Sequence, residues 1–145
     1  MEVHEGLVEL IQEQVEIERE SIARLAETEK RVGSDAAKLL LTEMRMDSQK
    51  HAAVLEAVLD ILKAPPSSKS LWERSLNAFV DPVIVKRELE HHKGLGKSML
   101  THIQEEVTKT DDEALRTLLE HLAEDEKMHR EILDMIVEKC YRLIR

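Results

Sequence analysis

Aromatic residues are nearly missing from this chain, with one Trp, one Tyr and one Phe among 145 residues. Sheets draw on aromatic and β-branched side chains, so this scarcity, beside abundant Leu, Glu, Lys and Ala, points away from β structure and toward long helices. Four Gly and three Pro leave few places to turn, which fits a small number of long rods. A single cysteine, Cys140, excludes an internal disulfide. Without any Cys-x-x-Cys pair, a zinc ribbon or a rubredoxin-type iron site is excluded as well. Apolar runs extend only a few residues, so no membrane span is expected. The first residues, Met1-Glu2-Val3-His4-Glu5, are acidic and lack an apolar signal core, which makes a cytoplasmic protein the expectation. Basic clusters are also lacking, and the formal net charge of −9 opposes nucleic-acid backbone and anionic lipid. No nucleophile elbow, phosphate loop or nucleotide fingerprint occurs, so the motifs define no enzyme class.

What is present divides into four helical stretches within one expected domain, 1–145, long enough to bury a core. The first runs over about 3–32 and stops at Gly33, read as a C-cap, with Ser34 or Asp35 capping the second, 35–62. Pro65-Pro66-Ser67-Ser68 breaks the second helix. Asp81-Pro82 is an N-cap followed by a first-turn proline and opens the third, 82–108. Thr110-Asp111-Asp112-Glu113 reads as a capping box for the fourth, 111–143. Between the second and third lies a connection, 63–80, with a short helix expected around Leu71 to Phe79. Neighbouring helices need only ~2–8 residues to turn back. This longer link is expected to carry the chain the length of the helices, leaving two tight hairpins and one crossover. The halves also read as weak internal duplicates. Ile11, Val15, Leu25 and Val32 fall over Val85, Leu89, Met99 and Glu106, and Leu41, Met44, His51, Leu55 and Leu62 fall over Leu119, Leu122, His129, Leu133 and Cys140.

At 100° per residue, each apolar stripe is interrupted by polar groups that can bind metal. Glu18 falls within Leu7, Ile11, Ile22, Leu25 and Val32. Ser48 and His51 fall within Leu41, Met44, Leu55, Leu59 and Leu62. His92 lies among Val85, Leu89, Met99, Ile103 and Val107, with Glu88 one turn earlier nearer the edge. Glu126 and His129 lie among Leu115, Leu119, Leu122, Leu133 and Val137. In an antiparallel hairpin, residues equidistant from the turn are level, which pairs Glu18 with His51 and His92 with His129. A Glu-x-x-His pair such as Glu126 and His129 can hold one cation, because i and i+3 share a helix face. An isolated core carboxylate costs several kcal/mol unless it is paired, and a cation resolves that cost. Mixed Glu and His donors suit iron, manganese or zinc better than calcium. Asp47 and Asp125, just ahead of the motifs, are flank residues able to accept an imidazole N–H. His4, His91, His102 and His121 lie off the core faces and read as surface. Gly96, on the packed face of the third helix, is expected to allow close approach of the first near Ile22. Met128, Ile132 and Met135 form a second apolar stripe, suited to a homodimer, a higher homo-oligomer or a partner helix.

This pattern resembles the ferritin-like superfamily, in particular rubrerythrin-type di-iron proteins. The resemblance covers nearly the whole chain and implies an all-α, ferritin-like four-helix bundle. It matches Glu18, His51, Glu126 and His129 to metal ligands, with Asp47 and Asp125 in the preceding positions. Ser48 stands where a bridging Glu belongs, and His92, with Glu88 in reserve, stands where another Glu belongs. The resemblance implies iron, with zinc or manganese also suited by the donors, and a role in iron handling or peroxide chemistry as an oxidoreductase served by an external redox partner. A different expectation keeps the helices but not the metal: a non-catalytic bundle for assembly or partner binding, in which the same groups form a polar network.

Overall fold

Four uninterrupted stretches rich in helix formers become four helices: α1 (Glu2–Arg31), α2 (Asp35–Lys63), α3 (Pro82–Thr108) and α4 (Glu113–Cys140). The structure, a computed structural model, describes residues 2–64, 71–72 and 81–142, with side chains from residue 6 onward. The chain is all-α, with no strand among the described residues. It divides into two compact units, Met1–Ser68 and Lys69–Arg145, one containing α1 packed on α2 and the other α3 packed on α4. Lys63 and Ala64 finish α2, and Leu71 and Trp72 form a turn. The rest of the expected connection, including most of the short helix placed at Leu71 to Phe79, lies outside the described residues.

The helix ends follow from local hydrogen bonds. Ser34 caps α2 by accepting from the backbone N–H of Ala37 at 3.3 Å, and Asp81 caps α3 by accepting from Val83 N–H at 2.9 Å, with Pro82 behind it. Two ends differ from expectation. The cap of α4 is Asp112, whose Oδ1 accepts from Leu115 N–H at 2.8 Å, while Thr110 Oγ1 accepts from Asp112 N–H at 3.1 Å. Thr110 therefore closes a small turn before the helix instead of opening it, because the charged Asp112 carboxylate reaches the free N–H of Leu115 directly. At the other end, α1 stops at Arg31, and Gly33 sits in the linker outside the left-handed region, so it is not a left-handed C-cap.

Within the first hairpin, burial follows a seam of alternating three- and four-residue steps. Val8, Ile11, Val15, Glu18, Ile22, Leu25 and Glu29 of α1, with Val32 just beyond its end, face Leu41, Arg45, Ser48, Ala52, Leu55, Leu59 and Leu62 of α2, and all are buried or half-buried. That spacing is the signature of two rods packed side by side at a shallow angle. The tightest packing lies at the end away from the turn, where Ile11, Val15 and Leu59 are buried against Val8, Leu55, Val58 and Leu62. Each fully buried aliphatic side chain contributes ~1.5–3 kcal/mol. Nearer the turn the seam is polar. Glu29 is 7% exposed, and Arg45 Nε donates to its Oε2 at 2.6 Å while Thr42 Oγ1 donates to its Oε1. The Arg45 hydrogen bonds, then that of Thr42, hold the Glu29 carboxyl below its ordinary range and raise the Arg45 guanidinium.

The second hairpin is more open. No side chain of α3 or α4 is fully buried, and Val85, Leu89, Leu100, Ile103, Val107, Leu119, Ala123, Leu133 and Val137 are half-buried. Lys93 of α3 and Asp134 of α4 are paired across it. Several residues expected on the packed stripes are exposed instead: Leu7, Met44, Met99, Leu115 and Leu122. Contact between two helices covers a strip narrower than the apolar face that a 100° wheel selects, and these residues lie beside that strip. Among the described residues, no helix is long and apolar enough to cross a membrane.

Candidate metal centre

Glu18 takes the mid-seam position of α1, and the 3-4 spacing that buries Ile11 and Val15 necessarily turns its carboxylate inward. Its side chain is 16% exposed, and its Oε1 lies 3.5 Å from His51 Nδ1 of α2, whose side chain is 50% exposed. The second hairpin repeats the arrangement on a single helix. Glu126 is again 16% exposed, with its Oε1 3.6 Å from the Nδ1 of His129, which is 58% exposed. In each hairpin a shielded carboxylate thus meets an imidazole at the edge of the seam, half open to water.

These separations have a chemical meaning. At 3.5–3.6 Å the pairs are at or beyond the limit of a hydrogen bond. Two donors of one tetrahedral ion, with bonds of ~2.0–2.2 Å, stand ~3.4 Å apart, so both pairs have the spacing of ligands to a shared cation. The donor set of one carboxylate and one imidazole is also of the mixed kind that transition metals accept.

His92 joins the second pair. A cleft of about 310 Å³ between α3 and α4 is lined by His92, Lys93, Gly96, Met99, Glu126, His129, Arg130 and Leu133, among others. Gly96 makes its room in part. A Cβ at that position would stand 3.4 Å from Glu126 Oε2, so the glycine leaves space for this carboxylate on the facing helix. The His92 side chain is exposed and shares a second, more open hollow on α3 with Arg87, Glu88 and His91. Glu88 is exposed there and does not line the cleft that holds Glu126. Ser48 is half-buried in the α2 seam, one turn before His51, where its hydroxyl is at most a weak neutral donor.

Two further pairs were not read as ligands from the sequence. His121 Nε2 and Asp125 Oδ2 lie 3.7 Å apart on α4, and the ligand atoms of Glu43 and Asp47 on α2 lie within 4.8 Å of one another. These Asp, Glu and His side chains are groups that could hold a metal ion. The available signal was the i, i+4 spacing of each pair, which puts both members on one helix face. His121 was placed on the surface because it lies off the apolar stripe. That position describes its exposure correctly but does not decide its chemistry. Glu29 was also missed, although it falls on the same 3-4 seam as Ile22, Leu25 and Val32. Its carboxylate is fully engaged by Arg45 and Thr42, so it serves the hairpin and not a metal. No protein-family model, curated protein or solved structure matches the chain.

Proposed function

We propose that this chain is a metal-binding helical protein whose ligands are Glu18 and His51 in the first hairpin and Glu126, His129 and His92 in the second, with Glu88 as a reserve donor. The observation that carries this reading is the repeated pair, a shielded Glu carboxylate with a His Nδ1 3.5 Å away in one hairpin and 3.6 Å away in the other. A lone half-buried carboxylate is costly. One held beside an imidazole at ligand spacing is suited to a cation. Iron is the ion implied by the ferritin-like, rubrerythrin-type resemblance, and zinc and manganese suit the same donors.

The residues divide the work by exposure. Glu18 and Glu126 supply negative charge from the dry side, where the lower dielectric strengthens their hold on a cation. His51 and His129 supply neutral nitrogen donors from the wet side and leave the remaining positions to water or a small substrate. A bound redox-active ion would supply electron exchange with oxygen or peroxide, the chemistry that the resemblance implies. Cys140 is the single thiol, so electrons for repeated turnover would come from another molecule.

Metal content tests the proposal. Protein purified without chelators and reloaded with zinc or, without oxygen, with ferrous ion is expected to hold metal in defined stoichiometry. The Glu126→Gln, His129→Ala double variant is expected to lose part of it. Metal-free wild type that takes up no ion on reloading would overturn the reading. A second reading is favoured by the exposed apolar stripe of Met128, Ile132 and Met135, each more than half exposed on α4. In it, the helices serve assembly, as a homodimer or with a partner helix, and the Glu–His pairs remain a polar network. Wild type without metal affinity that self-associates would support that reading.

A further inference from the structure

The cleft between α3 and α4 carries groups that a bound ion does not use. Met99, Ile132 and Leu133 give it an apolar wall, and Met99 and Ile132 stand about half open to water, at 47% and 51%. Two cations, Lys93 and Arg130, line it as well. Lys93 is committed to Asp134 across the hairpin. Arg130 is exposed and has no ion-pair partner among the described residues. We propose that this cleft binds a medium-chain aliphatic carboxylic acid, its carboxylate on the Arg130 guanidinium and its chain laid over Met99, Ile132 and Leu133.

Size and lining set the class of ligand. At about 310 Å³ the cleft is at the small end of ligand pockets, which span ~300–1,000 Å³, and it joins apolar side chains to a few polar groups as such pockets do. No Phe, Tyr or Trp is among its lining residues, so nothing there stacks on an aromatic ring, whereas unbranched Met99 adapts to a flexible chain. Charge sets the head group. A guanidinium presents a planar fork of N–H donors that matches a carboxylate on two bonds at once. The lining also holds one anion, Glu126, which opposes a carboxylate. Its side chain is only 16% exposed and lies 3.6 Å from His129 Nδ1, so an entering ligand meets the open Arg130 more readily than the shielded Glu126. An amine of the same length would be repelled by Arg130 and Lys93, and an alcohol would forgo the charge-assisted bonds.

The proposal rests on the walls of the cleft and not on the metal reading, so it is tested on the whole chain stripped of metal and returned to chelator-free buffer. Octanoate, hexanoate, octylamine and octanol are titrated by calorimetry into wild type and into Arg130→Gln, Ile132→Ser and Glu126→Gln. Arg130 and Ile132 are exposed, and circular dichroism checks that each variant is helical. Octanoate is expected to saturate at one equivalent and to bind more tightly than hexanoate, by up to about fourfold for each added methylene. Octylamine and octanol are expected to bind at least about tenfold more weakly than octanoate, and Arg130→Gln to weaken octanoate by about tenfold, the loss of one charge-assisted contact. Ile132→Ser is expected to weaken it too. Glu126→Gln is expected to tighten it, a change of sign that general damage to the fold would not produce. Absence of saturable octanoate binding, equal binding of octylamine, or octanoate affinity unchanged in Arg130→Gln would overturn the proposal. Should Arg130→Gln not fold, octanoate binding that Glu126→Gln leaves unchanged or weakens would overturn it instead. Zinc uptake measured on the same wild-type protein judges the metal reading separately.

Discussion

Gly94 and Gly96 stand two residues apart in the interior of α3, and alanine at each separates helix propensity from the room that Glu126 needs. Neither adopts a left-handed conformation, so alanine is compatible with both backbones. Glycine in a helix interior costs ~1 kcal/mol relative to alanine, part of it through the greater freedom of the unfolded chain. A Cβ at Gly94 meets nothing within 4 Å, so Gly94→Ala is expected to stabilise by about 1 kcal/mol, raising the midpoint by a few degrees for a chain of this size. At Gly96 the new methyl would stand 3.4 Å from Glu126 Oε2. That oxygen ends a flexible side chain, so the fold gives way cheaply and Gly96→Ala is also expected to stabilise, by less. The carboxylate moves instead, and its spacing to His129 with it. Displacing a metal ligand's support costs ~10–100-fold in affinity, so Gly96→Ala is expected to weaken zinc binding by about tenfold while Gly94→Ala leaves it unchanged. Thermal unfolding followed by circular dichroism, with zinc titration of the same samples, reads both quantities. Equal zinc affinity in the two variants would refute the role given to Gly96. A loss of stability in Gly94→Ala would refute the packing described for α3.

Three further outcomes follow from the hairpins themselves. The folded-state pKa of Glu29 lies below its ordinary value, so its stabilising effect is present above that ordinary value and is lost as pH falls through the lowered folded value; urea midpoints measured from neutral pH into acid are expected to fall in that window, and Glu29→Gln to flatten the fall. Asp112→Ala is expected to cost about 1 kcal/mol through loss of the α4 cap, and Thr110→Ala less, in equilibrium denaturation; the reverse order would return the cap to Thr110 and the expected capping box. Leu59→Ala, in the packed end of the first hairpin, is expected to cost ~2–5 kcal/mol, whereas Leu10→Ala, at a residue 64% exposed, stays within ~0.5 kcal/mol.

Much of the helical plan was legible because its signals are local. Asp81-Pro82 and Ser34 are caps whose side chains reach N–H groups two or three residues away, and the scarcity of glycine and proline marks where helices can run. The start of α4 was less legible, since Thr110 and Asp112 are both good caps and the choice depends on which oxygen reaches Leu115 N–H. The inward turn of Glu18 and Glu126 was readable from spacing alone, because both lie on the 3-4 seam. The three histidines, His51, His92 and His129, sit beside the seams and are exposed, a distinction finer than a helical wheel resolves. Glu29 and Arg45 show another limit: both lie on seam positions, but that each is the other's partner emerges only when the two helices are packed together. Gly96 likewise carries no sign in the sequence that Glu126 is the group beside it.

The central claim is that imidazole and carboxylate together hold a metal ion, and X-ray absorption at the metal edge tests it most directly. In zinc-loaded protein the account predicts oxygen and nitrogen neighbours at ~2.0–2.2 Å with the outer-shell scattering of imidazole rings, reduced in His129→Ala. A spectrum of water and carboxylate oxygens alone, unchanged by that substitution, would contradict it.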